Sequence, residues 1–167
     1  LREISVQNGN SGPAIGTNTG ADRGTIHDVS ITGSGNFGIE INHGNNWNLT
    51  NILIESTGFN GLNTASNTGM VLKNWIVTSG VGNKGMVPNF DESVIANCIV
   101  FGGGQAGVQV GGNDSIVIGC RVHNTDEQGI TTSGDTIVSN NRVSDSVPDI
   151  DVGGNVLLDG NLSGSAN

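Results

Sequence analysis

Residues 95–110 read IANCIVFGGGQAGVQV, and residues 117–132 read VIGCRVHNTDEQGITT. Both carry an aliphatic residue, a cysteine three later, an aliphatic two beyond that, a loop, and then glycine followed by another aliphatic. The frame extends outward through the whole chain. Its middle position is Ile4, Val29, Ile52, Trp75, Cys98, Cys120, Asn141 and Asn161, at steps of 25, 23, 23, 23, 22, 21 and 20 residues. A second column keeps step after each loop: Ile15, Ile39, Leu62, Met86, Val108, Ile130 and Ile150. Glycine stands immediately before five of these, at Gly38, Gly61, Gly85, Gly107 and Gly129.

A fixed period of about 20 to 50 residues implies stacked units. Within each unit the apolar period is two, as in "VSI", "ILI" and "VQV", which is strand alternation, and no segment offers ten or more residues of helical period. A unit of two or three short strands cannot bury its apolar side alone, so its neighbours must lie on it, each turn about 4.8 Å from the last. The expected fold is all-β: a single-stranded parallel β-solenoid of about seven to eight turns of 20–25 residues, with residues 1–167 as one domain.

Leucine-rich repeats share this period but need a Leu-x-x-Leu-x-Leu frame and a helical return, both missing here. Units such as TIVSNNRVSDSVPDIDV, residues 136–152, resemble the right-handed parallel β-helix of pectate-lyase-like proteins, and the resemblance covers essentially the whole chain. The later stretch SNNRVSDSVPDIDVGGNVLLDGNLSG, residues 139–164, is similar to the β-helix tailspike and fibre proteins of phages and haloarchaeal viruses. The resemblance implies a fold and leaves function open, because this repeat occurs in polysaccharide lyases, hydrolases, epimerases, tailspikes and adhesins. It also implies a polysaccharide or cell-surface glycan as partner, an extracellular or virion-surface location, and a homotrimer. Leu1 opens directly in a rung, so the chain is expected to be a fragment of a longer one.

The net charge of −9, with only six Lys and Arg, argues against a nucleic-acid partner, since polyphosphate rewards basic clusters. The longest near-apolar run, SVIANCIVF at residues 93–101, falls short of the roughly 18 residues that a membrane-spanning helix needs. No membrane insertion is expected.

With the columns facing inward, the residues between them face outward: Ser5, Ser30, Leu53, Ile76, Ile99, Arg121, Arg142 and Leu162. Leu53, Ile76 and Ile99 form an apolar row that calls for cover, either by the same chain or as a subunit interface. Arg121 and Arg142 stand about one rung apart and repel unless they share an anion. Asp126, Glu127, Asp145 and Asp151 are the internal candidates, and a surface salt-bridge cluster is the plainer reading. The alternative is a ligand site in which Arg121, Arg142, His123 and Glu127 orient an acidic sugar. The family resemblance adds Arg121 as the base of a lyase.

Glycoside hydrolysis needs two carboxylates about 5 to 9.5 Å apart. Asp126 with Asp149 or Asp151 is the best candidate pair, although no acidic motif marks it. Asp91, Asp114 and Asp135 precede three successive rungs, where stacked carboxylates would suit Ca²⁺. Turn hydrogen bonds to backbone N–H groups two residues on are the favoured explanation, for these and for Asn51, Asn74, Asn97 and Asn140. No cofactor is expected, and His27, His43 and His123 share no metal-ligand spacing with the cysteines.

Trp75 reads as core. Trp47, in a connection, is either an aromatic sugar platform or a ring packed on the coil edge. Cys98 and Cys120 should lie one above the other as free buried thiols, because side chains stacked in parallel do not supply the disulfide torsion. The loops after the first strand are short and nearly equal, which tilts against a deep cleft. The preferred function is a glycan-facing recognition module of a spike or fibre. The alternatives are a polysaccharide lyase, hydrolase or epimerase, and a stalk repeat without a ligand.

Overall fold

The computed structural model describes residues 4–7, 11–17, 22–65, 67–78 and 82–164; Leu1 lies outside them. Strands of successive turns pair in parallel into sheets of 12, 7 and 3 strands. One turn shows the pattern. Val94–Ala96 lies between Val71–Val77 and Ser115–Ile118, the chain bends at Asn97, and Ile99–Phe101 runs on between Val71–Val77 and Arg121–His123. After a loop, Val108–Val110 joins the seven-stranded sheet between Met86–Val87 and Ile130–Thr132.

The register reproduces the sequence period. Ile26, Leu49, Leu72, Ile95, Val117, Val138 and Leu158 form one inner column. Ile15, Ile39, Leu62, Met86, Val108, Ile130 and Ile150 form another across the coil. Between them lies one continuous hydrophobic core. The glycines that precede the second column occupy a corner too tight for a side chain. A Cβ added at Gly107 would stand 2.7 Å from the carbonyl oxygen of Gly129 and 2.2 Å from Val122 Cγ1.

The bend in each turn is a left-handed residue: Asp28, Asn51, Asn74, Asn97, Gly119, Asn140 and Gly160, with φ between 53° and 65°. Asn, Asp and Gly are the residues that accept this conformation at least cost. The exposed side chains stack along the coil, Asn74 Nδ2 donating to Asn51 Oδ1 at 3.1 Å and Asn51 Nδ2 to Asp28 Oδ1 at 3.0 Å. The Asn51 amide and then His27 hold the Asp28 carboxyl below the usual carboxylate range. At Asn51 and Asn74 the side chains therefore bond one turn away, not to a backbone N–H two residues on.

The residue after each bend points into the core. Cys120 donates its backbone N–H to Asn141 Oδ1 at 2.8 Å, and Asn141 donates its own to Asn161 Oδ1 at 3.0 Å. In the two preceding turns sulfur takes this role: the Cys98 backbone bonds the Cys120 sulfur, and the Trp75 backbone bonds that of Cys98. Asn141 Nδ2 and Asn161 Nδ2 then donate to the carbonyls of Val117 and Val138, and Trp75 Nε1 to that of Leu49. Both cysteines are free and buried. The hydrogen bond to the Cys120 sulfur and burial hold the Cys98 thiol well above the ordinary thiol range.

Candidate functional site

The strands that follow the bend carry an outward row in register: Ser30, Leu53, Ile76, Ile99, Arg121, Arg142 and Leu162. Leu53 and Ile99 are half-buried, while Ile76 is 41% exposed. Two residues further along each strand, Phe101, His123 and Ser144 form a parallel row. Over the last turns these rows enclose an open groove of about 560 Å³, lined by Phe101, Arg121, His123, Arg142, Asp145 and Leu162 among others.

His123 is the fixed point of the groove. Its Nδ1 lies 2.9 Å from Asp145 Oδ2 and 2.9 Å from Ser144 Oγ, and its ring stands edge-on to Phe101 with centroids 5.8 Å apart. A carboxylate accepts, so Nδ1 carries a proton and Nε2 is the other ring nitrogen.

Arg121 and Arg142 are both exposed and directly paired across adjacent strands. Among the described residues neither makes an ion pair, and the carboxylate in the groove, Asp145, is bound to His123. This corrects the expected salt-bridge cluster. Asp126 and Glu127 do not line the groove: their backbone N–H groups bond the carbonyls of Gly103 and Gln105, in the loop beyond. Two guanidinium groups one rung apart carry like charges that an anion could bridge.

The register places the backbone of each proposed carboxylate. Ile130 N–H donates to Asp149 O, so Asp149 sits level with Gly129, three residues past Asp126. Asp149 Oδ1 accepts the Ser146 N–H of its own turn at 3.3 Å. Asp151 lies on the seven-stranded sheet beside Thr131.

Asp91, Asp114 and Asp135 do not form one stack. Asp91 Oδ1 accepts the Asn113 N–H at 2.7 Å, Asn113 Oδ1 that of Asp135 at 3.4 Å, and Asp135 Oδ1 that of Asn155 at 3.1 Å. Asp114 stands beside this line at a left-handed position, φ 53°. The carboxylates of Asp91 and Asp135 thus tie neighbouring turns together instead of converging on a cation. The step of 22 residues from Cys98 to Cys120 already carries Asp91 onto Asn113.

Trp47 is not a sugar platform. It is 7% exposed, and its ring fills the space over Gly24, where a Cβ would lie 2.0 Å from Trp47 Cζ3.

The chain matches the family described as "Right handed beta helix region" over residues 6–164. It belongs to the right-handed β-helix family. The β-helix is also similar to the crystal structure of the periplasmic alginate epimerase AlgG. The TM-score is 0.55 at 15% identity, over 75% of this chain and 40% of AlgG. That likeness is one of fold, and the chain spans well under half of AlgG. No curated protein matches the chain in sequence.

On this β-helix the sequence pointed to Arg121, Arg142 and His123 but not to Phe101 or Leu162 as groove walls. Their signal was available, since both continue the outward alternation of their strands. A second outward apolar row, Val71, Val94, Ile116, Ile137 and Leu157, was also missed. It precedes the bend, and Ile137 and Leu157 are 40% and 60% exposed.

Proposed function

We propose that this β-helix is a recognition module for an acidic glycan, which it binds on the face presented by Phe101, Arg121–His123 and Arg142–Ser144. The observation that carries this reading is the in-register pair Arg121 and Arg142, without a carboxylate partner among the described residues, on a chain of net charge −9. A sugar carboxylate or sulfate placed between the two guanidinium groups relieves their repulsion with charge-assisted hydrogen bonds. Phe101 offers an apolar face to the pyranose ring, and Ser144 and Asp145 offer bonds to its hydroxyls. AlgG, a protein of the same fold, is an alginate epimerase, so an acidic polysaccharide has a precedent on this scaffold.

In this reading the module works at an extracellular or virion surface as a homotrimer, with Leu53, Ile76 and Ile99 covered by the neighbouring copy. Sedimentation as a monomer at every concentration would remove the trimer.

The test of recognition is calorimetric titration with an oligogalacturonate and with a neutral oligosaccharide of equal length. The acidic ligand is expected to bind and the neutral one to fail, with binding lost in the double variant R121Q/R142Q. Equal binding of both ligands, or an unaffected double variant, would overturn the reading.

A second reading is enzymatic, favoured by the contact between His123 and Asp145 beside the arginines. A uronate held by Arg121 and Arg142 would place the carbon next to its carboxylate near an imidazole oriented for proton abstraction. Incubation with polyuronates, followed by assays for unsaturated uronates and for inverted C5 configuration, decides it. No change in either product with wild-type protein leaves recognition alone.

A further inference from the structure

We infer that glycan recognition in this groove is proton-gated, with protonated His123 supplying a third positive charge beside Arg121 and Arg142, so that affinity for an acidic ligand rises as pH falls. The inference rests on the acidic-glycan reading and adds its regulation.

The geometry places the imidazole among charges of both signs. Arg121 lies two residues before it on the same strand. The following turn presents Arg142, Ser144 and Asp145, and the preceding turn presents the uncharged ring of Phe101. Asp145 occupies Nδ1, so the second proton enters at Nε2. An anion seated on the arginines attracts a proton at that nitrogen, and the protonated ring attracts the anion, so each promotes the binding of the other. Histidine is the side chain that changes charge in the physiological range, which makes this linkage usable as a switch.

Titrations with an oligogalacturonate and with a sulfated oligosaccharide, at about pH 5.5 and about pH 8, test the coupling. Sulfate keeps its charge throughout, so any change in its affinity comes from the protein. Wild-type protein is expected to bind both ligands on the order of fivefold more tightly at the lower pH. In H123Q the ratio between the two pH values falls to one, whatever happens to the affinity itself. In R121Q affinity falls at both pH values while the ratio stays above one. Equal affinity at both pH values in wild type, or an undiminished ratio in H123Q, overturns the gating and leaves recognition standing. Failure of both ligands to bind at either pH overturns the recognition reading itself.

Discussion

Asn141 Oδ1 accepts the backbone N–H of Cys120, one turn earlier, at 2.8 Å inside a core where Asn141 is 1% exposed. The same side chain donates from Nδ2 to the carbonyl of Val117 at 3.0 Å. Asn141→Ala strands a buried donor and a buried acceptor, each costing about 1–3 kcal/mol, and should lower stability by about 2–5 kcal/mol. Asn141→Cys restores a sulfur acceptor like that of the turn before and should lose less. Urea midpoints of the two variants check the order, and an alanine variant as stable as wild type would refute the role.

At the outer bend the requirement is conformational. Asn74 has φ 56°, in a column where Gly119 and Gly160 occupy other turns. Asn74→Gly should cost only a few tenths of a kcal/mol, since it keeps the backbone conformation and loses one exposed bond to Asn51. Asn74→Val should cost about 2 kcal/mol, because a β-branched residue resists the left-handed region. Equal thermal midpoints for the two variants would count against this account.

Trp47 and Gly24 make a tight pair. Gly24→Ala places a methyl group inside the indole ring and forces it outward. The expected loss is about 1–3 kcal/mol, with a red shift of tryptophan emission as Trp47 meets water. Unchanged emission together with unchanged stability would show that the ring has other room.

Cys98 makes stability depend on alkaline pH. Its thiol is held above the ordinary range in the fold, so the native state keeps a proton that the unfolded chain releases above about pH 8.5. Stability from this group is therefore fully present below that pH and declines above it, while the hydrogen bond from Cys98 that holds the Cys120 thiol low acts in the opposite sense. Denaturation between about pH 8 and 10 should show the slope in wild type and a shallower one in Cys98→Ala.

The core columns were legible because burial imposes a strict period. Each inward position is apolar, or polar with its bonds made to a neighbouring turn as at Asn141, and the identities at Ile52, Trp75 and Cys98 need only share a face to reveal the register. Cys98 and Cys120 drew attention as chemistry and turned out to mark architecture. The site was legible in part. Arg121 and Arg142 follow from the outward row, but their lack of a carboxylate partner among the described residues does not, because four candidate acids lie nearby in sequence.

The sequence by itself determined the solenoid, its register and the facing of the inner columns and of the outward row that carries the arginines, since alternation of period two against a repeat of 20–25 residues fixes which positions stack. Only the tertiary structure decided which polar groups meet between turns. Asp145 turns to His123, the arginines have no ion pair among the described residues, and Trp47 folds over Gly24. These choices are competitions among short side chains across a gap of about 4.8 Å. A shift of one residue, the amount by which the repeat shortens at each of the last turns, changes the partner and reverses the face.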